Sequence, residues 1–355
     1  MNSLGASVTV VVVARDRYST LERSVEMLFD SLPSDVRILV VAGGASGKIR
    51  RRLEKLHSLQ VEVVGSKHHL VPNEARNLGL SLVSTPYVVF FDNDSIPHPG
   101  WLPPLLETME RFEPMAVMPL ILERTGPTGP TSIHVSGGEC RIVETVNGRT
   151  FVDEHRHIKA PIQEAETLAV EKIHLLEFHC VLFERKKLQS IGAFDESIES
   201  QGEHLDLALR IAEAGGEMFL DPRSRVTVEF PTSLRAGDFS FYLGRWSSTF
   251  NRRSYTRFVE KWSLDDSSAG SATWSFADRA RFHPWIAAGK VIQRLTRRWT
   301  PEGIARQIDL RVGRHVAEML LRVSPRWAHW RTRARTTAVA SKPKQRRVRY
   351  PRGGG

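Results

Sequence analysis

The stretch YVVFFDNDS, residues 87–95, decides how the rest of the chain is read. Tyr87 to Phe91 form an unbroken apolar and aromatic run, as in a strand that a sheet buries on both faces. At its exit stand Asp92 and Asp94, with Asn93 between them. Like charges so close repel, so a positive partner is expected beside them. Two carboxylates aimed at one point hold a divalent cation, and hard Mg2+ or Mn2+ then coordinates phosphate oxygens as well. An isolated Asp-x-Asp is more often an acidic solvated turn, so the setting has to carry the reading.

Upstream, the pattern alternates. VTVVVVA (8–14) is a buried strand, and 19–31 has helical spacing, with Leu21, Val25, Leu28 and Phe29 on one face and Ser19 or Thr20 as cap. VRILVVAGG (36–44) is a second strand, followed by a basic helix over about 47–57. VEVVG (61–65) is a third strand, and PNEARNLGLSLVS (72–84) a helix capped by Asn73. This β-α-β-α-β-α-β order implies a mostly parallel sheet whose ligands bind beyond the carboxyl ends of the strands, where Asp92 and Asp94 lie.

Downstream, 126–160 loosens into a hairpin-bearing insertion. KIHLLEFHCVLFER (172–185) reads as a strand that turns Glu177 and His179 to one face, as an acceptor-cleft lining or as a buried hydrogen-bonded pair. QGEHLDLALRIAEAGG is a helix with Leu205, Leu209 and Ala212 inward, stopped at Gly215-Gly216. In it Glu203, Asp206 and Arg210 share a face, so Asp206 and Arg210 pair and Asp206 orients. MFLDP and SRVTVEFP read as two further strands.

In this order and spacing the segments resemble a family-2 glycosyltransferase with the GT-A fold, over roughly residues 8–262. The matching pieces are VTVVVVARDR, NEARNLGLSLVSTPYVVFFDNDSIPHPGWL, IGAFDESIESQGEHLDLALRIAEAGG and DPRSRVTVEF. The resemblance implies a sheet flanked by helices and an inverting transfer of a sugar from a nucleotide-diphosphate donor to an acceptor hydroxyl. It implies Asp92 and Asp94 as ligands of Mn2+ or Mg2+. It also implies a donor site built from Ala14, Arg15, Asp16 and Arg17, from Ala42 and Gly43, and from Asn73, Arg76, Asn77 and Asn93. Glu203, His204 and Asp206 match the segment that supplies the catalytic base.

The chain departs from the family pattern twice. Val41-Ala42-Gly43-Gly44-Ala45-Ser46 lacks the carboxylate that usually ends the second strand, which leaves the nucleotide base open. His204 replaces the usual aspartate, so His204 or Glu203 is left as base. Those departures keep a second reading alive, a non-catalytic sugar-nucleotide-binding or scaffold protein. A nucleotidyltransferase would want a glycine-rich loop after the first strand, and ARDRYS has no glycine.

Charge divides the chain. From Arg281 to Gly355 there are 19 Lys and Arg against three Asp and Glu, a net of +16; with +10 overall, the first 280 residues carry −6. The expected organisation is a catalytic domain over 1–262, a linker over 263–280, amphipathic basic helices over 281–335 and a disordered basic tail over 336–355. Trp285, Ile292 and Leu295, then Ile304, Ile308, Val312, Val316, Leu320 and Val323, recur at helical spacing. Those stripes either pack on the catalytic domain or adsorb to an anionic membrane surface. No helix-turn-helix or zinc motif supports nucleic-acid contact. Two cysteines, Cys140 and Cys180, and no signal-peptide pattern or apolar stretch long enough to span a bilayer point to a cytoplasmic protein, peripheral on the membrane face at most.

Overall fold

The computed structural model describes residues 4–56, 60–146, 148–230, 234–265, 282–298 and 300–327. Of the expected linker only 263–265 are described, and the tail 336–355 lies outside the described residues. Strands β1 (Val8–Val13), β2 (Arg37–Val41), β3 (Val61–Val64) and β4 (Tyr87–Asp92) pair in parallel in the order β3-β2-β1-β4. Helices α1 (Leu21–Ser31), α2 (Gly47–Leu56) and α3 (Pro72–Ser81) make the crossovers. α3 lies so close to the sheet that a Cβ on Gly79 would sit 2.4 Å from a Val11 methyl carbon. The apolar runs of β1, β2 and β4 are buried almost throughout, as in strands covered on both faces, whereas the edge strand β3 buries only Val61 and leaves Val63 and Val64 partly covered.

Two expected caps are absent for a physical reason. α3 starts with Pro72, whose missing N–H costs nothing at a first position, and Glu74 accepts from the Val71 N–H at 3.1 Å. Asn73 is therefore inside the helix. The Thr20 hydroxyl accepts from the Asn93 amide and does not cap α1.

Beyond β4 come β5 (Ser95–Pro97), α4 (Leu102–Phe112), β6 (Ala116–Thr125), β7 (Ser132–Val135) and the hairpin β8 (Gly138–Thr145) to β9 (Gly148–His155). The strand expected over 172–185 is two strands, β10 (Glu171–Ile173) and β11 (Cys180–Glu184). β10 pairs at the sheet edge, whereas β11 inserts antiparallel between β6 and β4, so the chain must leave the plane at 174–179 to pass two strands. Conversely, MFLDP and SRVTVEFP form one strand, β12 (Met218–Phe230), with an irregularity between Asp221 and Arg225. The sheet order is β10-β12-β6-β11-β4-β1-β2-β3, with β5 on β12 and β7 on β6.

Helices α5 (Arg185–Ser190), α6 (Glu203–Glu213), α7 (Phe239–Arg245) and α8 (Ser248–Trp262) complete the body. Leu205, Leu209 and Ile211 of α6 are buried, but Ala212, expected inward, is exposed. After α8 the Asp265 N–H donates to the Arg149 carbonyl at 2.8 Å, so the first residues of the expected linker pack on β9.

The C-terminal part contains α9 (Ile286–Thr296), α10 (Pro301–Ile308) and α11 (Arg314–Val323), with a π-turn at Asp309–Gly313 between the last two. An i→i+5 turn admits an extra residue and rotates the helix beyond it. The buried line consequently runs Ile304, Ala305, Ala317, Leu321 and Trp327, while Val312 and Val323 of the expected stripe face solvent. Trp327 has no exposed surface; it lies against His69, Phe241 and Phe250 and fills the space a Cβ on Gly244 would need. Among the described residues no helix is long and apolar enough to cross a membrane.

Candidate functional site

The carboxyl end of β4 is held on both sides. The Asn93 N–H donates to the Val13 carbonyl at 3.1 Å and the Asp92 N–H to the His179 carbonyl at 3.0 Å. The Asn93 side chain accepts from the Arg15 N–H and donates to the Arg17 carbonyl and to Thr20. Its polar atoms are committed to the loop Ala14–Arg17, making Asn93 the clasp of that loop.

Asp92 and Asp94 then diverge. Asp92 is buried and accepts from Arg76 Nη2 at 3.2 Å; burial lifts its carboxyl above the usual range against the opposing charges of Arg76 and Arg15. Asp94 has Arg15 Nη1 at 3.9 Å and His179 Nδ1 at 3.6 Å. Burial would raise it, but His179 and Arg15 outweigh that and hold its carboxyl far below the usual range. Asp94 Oδ1 is buried with no hydrogen-bond partner. Asp92, Asp94 and His179 bring ligand atoms within 4.8 Å of one another. A buried carboxylate oxygen without a donor, beside a second carboxylate and an imidazole, fits a hard divalent cation.

The other residues expected at the donor site are mostly spent on structure. Arg76 stacks on Phe178 and donates to Asn73, which reaches the Asp195 carbonyl. Asn77 holds the backbone of Phe194 in both directions and donates to Glu196. Arg17 and Trp246 both donate to the Asp16 carboxylate. Ala42 and Gly43 are buried, and Tyr18 donates to the Gly43 carbonyl. Of the cations in this group, Arg76 is bound to Asp92 and Arg15 faces Asp94.

Glu177 and His179, expected on one strand face, stand in the crossing loop 174–179. They nonetheless reach the site region, and separately: His179 joins the aspartates, while Glu177 Oε1 lies 3.0 Å from His155 Nε2 and 3.8 Å from His204 Nε2. Burial would lower His155, but Asp153 and Glu177 on its two nitrogens push it up to about 10.

In α6, the Asp206–Arg210 pair forms as spaced, at 2.9 Å, and Lys261 and Trp262 also donate to Asp206. Asp206 is an anchor under the helix. Glu203 Oε1 accepts from Arg245 Nη2 at 3.0 Å, while Glu203 Oε2 is buried without a partner. Arg245 has no exposed surface, lies over Trp246, and is drawn down to about 10 by burial against the pull of Glu203. Sequence reasoning missed Arg245, Trp246 and His155. The first two are adjacent in GRWSS after an unremarked helix, and His155 ends an insertion strand with no local motif, so nothing nearby in sequence marked them.

Residues 9–192 match the family model described as glycosyl transferase family 2. A pre-mycofactocin glycosyltransferase of Mycobacterium tuberculosis is 28% identical over 232 residues, covering 64% of this chain and 44% of its own length. A putative polypeptide N-acetylgalactosaminyltransferase 13 of Drosophila melanogaster is 27% identical over 239 residues, covering 63% and 41%. The chain thus spans less than half the length of these curated relatives. Among solved structures, GalNAc-T7 with UDP, GalNAc and Mn2+ aligns with a TM-score of 0.51 at 18% identity, over 75% of this chain and 52% of that one. At that identity the likeness concerns the fold, which is the GT-A arrangement expected from the sequence.

Proposed function

The chain belongs to glycosyl transferase family 2, and from that premise we propose that it moves a sugar from a nucleotide-diphosphate donor to an acceptor hydroxyl with inversion. One observation carries the reading: Asp92, Asp94 and His179 converge at the exit of β4 with Asp94 Oδ1 left without a hydrogen bond. Asp92, Asp94 and His179 would hold the cation, Mn2+ or Mg2+. Bound there, a divalent cation supplies the positive charge against which a leaving diphosphate is stabilised.

The chain's own residues do the rest. Arg15 adds a fixed positive charge beside Asp94, preorganised because burial and the loop clasp by Asn93 hold it in place. Glu203 takes the acceptor proton at its unpartnered Oε2, while the hydrogen bond from Arg245 to Oε1 fixes the orientation of the carboxylate. A base opposite the leaving group gives one displacement and inverted configuration. Relatives named as glycosyltransferases support the reaction class. Neither the sugar nor the base is fixed by Ala42-Gly43, which offers no carboxylate to a nucleobase.

The test is a thermal-shift panel of UDP-, GDP- and dTDP-sugars with Mn2+, because a ligand bound to the folded state raises its melting temperature. At least one donor should stabilise the protein, EDTA should abolish the shift, and that donor should be hydrolysed slowly. No shift and no hydrolysis with any donor would leave the scaffold reading in possession.

The C-terminal helices carry a second reading, docking to an anionic membrane surface. Leu295 is 80% exposed and Val323 61%, among Lys290, Arg294, Arg297 and Arg322. Apolar side chains set among cations suit anionic headgroups over a boundary of acyl chains. The wild type should float with phosphatidylserine vesicles and a Leu295→Glu, Val323→Glu variant should not; sedimentation of both would end the idea.

A further inference from the structure

Glu177 and His179 are one residue apart in the crossing loop but serve different clusters. His179 stands with the aspartates; Glu177 stands with His155, the last residue of β9, and His204, the second residue of α6. We infer that His155, Glu177 and His204 form a second divalent-cation site, one suited to a nitrogen-preferring transition ion such as Zn2+ or Co2+.

The distances come first. The ligand atoms all lie within 4.8 Å of one another, with Glu177 Oε1 3.0 Å from His155 Nε2 and 3.8 Å from His204 Nε2. Ligands bonded at roughly 2.0–2.1 Å to one tetrahedral ion stand about 3.3–3.4 Å apart, so the two Glu177 distances bracket that spacing and the imidazoles have only to turn towards a common centre.

The second observation is the state of His204. Its side chain is 9% exposed and its Nε2 is buried with no hydrogen-bond partner. Buried imidazole nitrogens ordinarily have a partner. A proton on His155 Nε2 accounts for the contact between His155 and Glu177. The second imidazole faces the same oxygen at 3.8 Å, ion-pair distance but beyond a hydrogen bond, and a cation among all three would give its nitrogen a direct bond.

The surroundings agree. Asp153 Oδ1 lies 3.1 Å from His155 Nδ1, the placement of a carboxylate that fixes a ligating histidine with its Nε2 lone pair outward. Two imidazoles and one carboxylate are a zinc-type donor set, with a fourth position for water. The aspartate corner, richer in oxygen, suits Mg2+ or Mn2+, so the two clusters select different ions. The site joins the insertion hairpin, the crossing loop and the start of α6, and it leaves proton removal to Glu203.

The experiment reads metal, not turnover, so its outcome is separate from the question of sugar transfer. The full chain is stripped with chelator, supplied with Mg2+, titrated with Co2+ and dialysed, then followed by visible absorption and metal analysis. One equivalent of Co2+ with visible ligand-field bands is expected in the wild type. His155→Gln and His204→Gln should each weaken retention at least tenfold and lose the bands, with circular dichroism checking that each is folded, and Asp94→Asn should keep both. Asp153→Asn should weaken Co2+ binding by about 10–100-fold. A wild type that retains no Co2+, or bands that vanish with Asp94→Asn and persist in either histidine variant, would overturn the site.

Discussion

The aspartate corner and the histidine cluster share one loop but are built differently. Asp92 and Asp94 project from the end of a strand paired on both sides, so the backbone that places them is held by the sheet. His155, Glu177 and His204 come from a hairpin, a loop and a helix start, and only tertiary packing brings them together. A site on a sheet end inherits rigidity, whereas one assembled from separate segments depends on braces. Those braces are visible: Asn73 and Asn77 bind the backbone at 194–195, and Asp195 is gripped by Lys261 and Arg257.

The comparison breaks first, if it breaks, at Asp92. Removing it leaves Arg76, 1% exposed, as a buried charge without its carboxylate. Asp92→Ala should cost about 3–5 kcal/mol in denaturant titration; an unchanged midpoint would show that the corner is not set by this pair. Asp94 is the opposite case. Its charged partners, Arg15 and His179, stand farther off, at 3.9 and 3.6 Å, so Asp94→Ala should cost less stability than Asp92→Ala and lower transfer by about two to three orders of magnitude. Turnover within tenfold of wild type would mean the two aspartates are not divided in this way.

Smaller effects sharpen the contrast on the other side. Asn77→Ala removes contacts to Phe194 and Glu196 and should cost about 1–3 kcal/mol. Smallest is a pH effect at Asp195. Burial would raise its carboxyl, but Ser197 and Lys261 hold it well below the usual range. A depressed folded value stabilises above the unfolded carboxylate range of about 3.9 and fades as pH falls below it. Asp195→Asn should therefore be less stable at pH 7, by about 1 kcal/mol given partial exposure, and should lose stability less steeply between pH 5 and 3. Parallel acid curves for the two proteins would remove Asp195 from the braces.

How much was legible depends on the same division. The first four strands and their crossovers announce themselves because burial on both faces demands long apolar runs, and helices between them demand a 3.6-residue period. The passage from β10 to β11 was invisible, since Leu175, Leu176 and Phe178 of the crossing loop are as apolar and as buried as Val181, Leu182 and Phe183 of the central strand. The π-turn was invisible too, because an inserted residue changes which face is buried without changing composition.

Residues 87–95 by themselves determined that a buried strand ends in two carboxylates, and the order of segments around them determined a parallel sheet with that end as its binding edge. Local patterning suffices there, because burial and chain direction are written in neighbouring residues. Only the tertiary structure decided that Asp92 is bound to Arg76 while Asp94 is left short of donors, that Arg245 underlies Glu203, and that residues 155, 177 and 204 meet. Those facts depend on distances between segments far apart in the chain, and no local preference encodes such a distance.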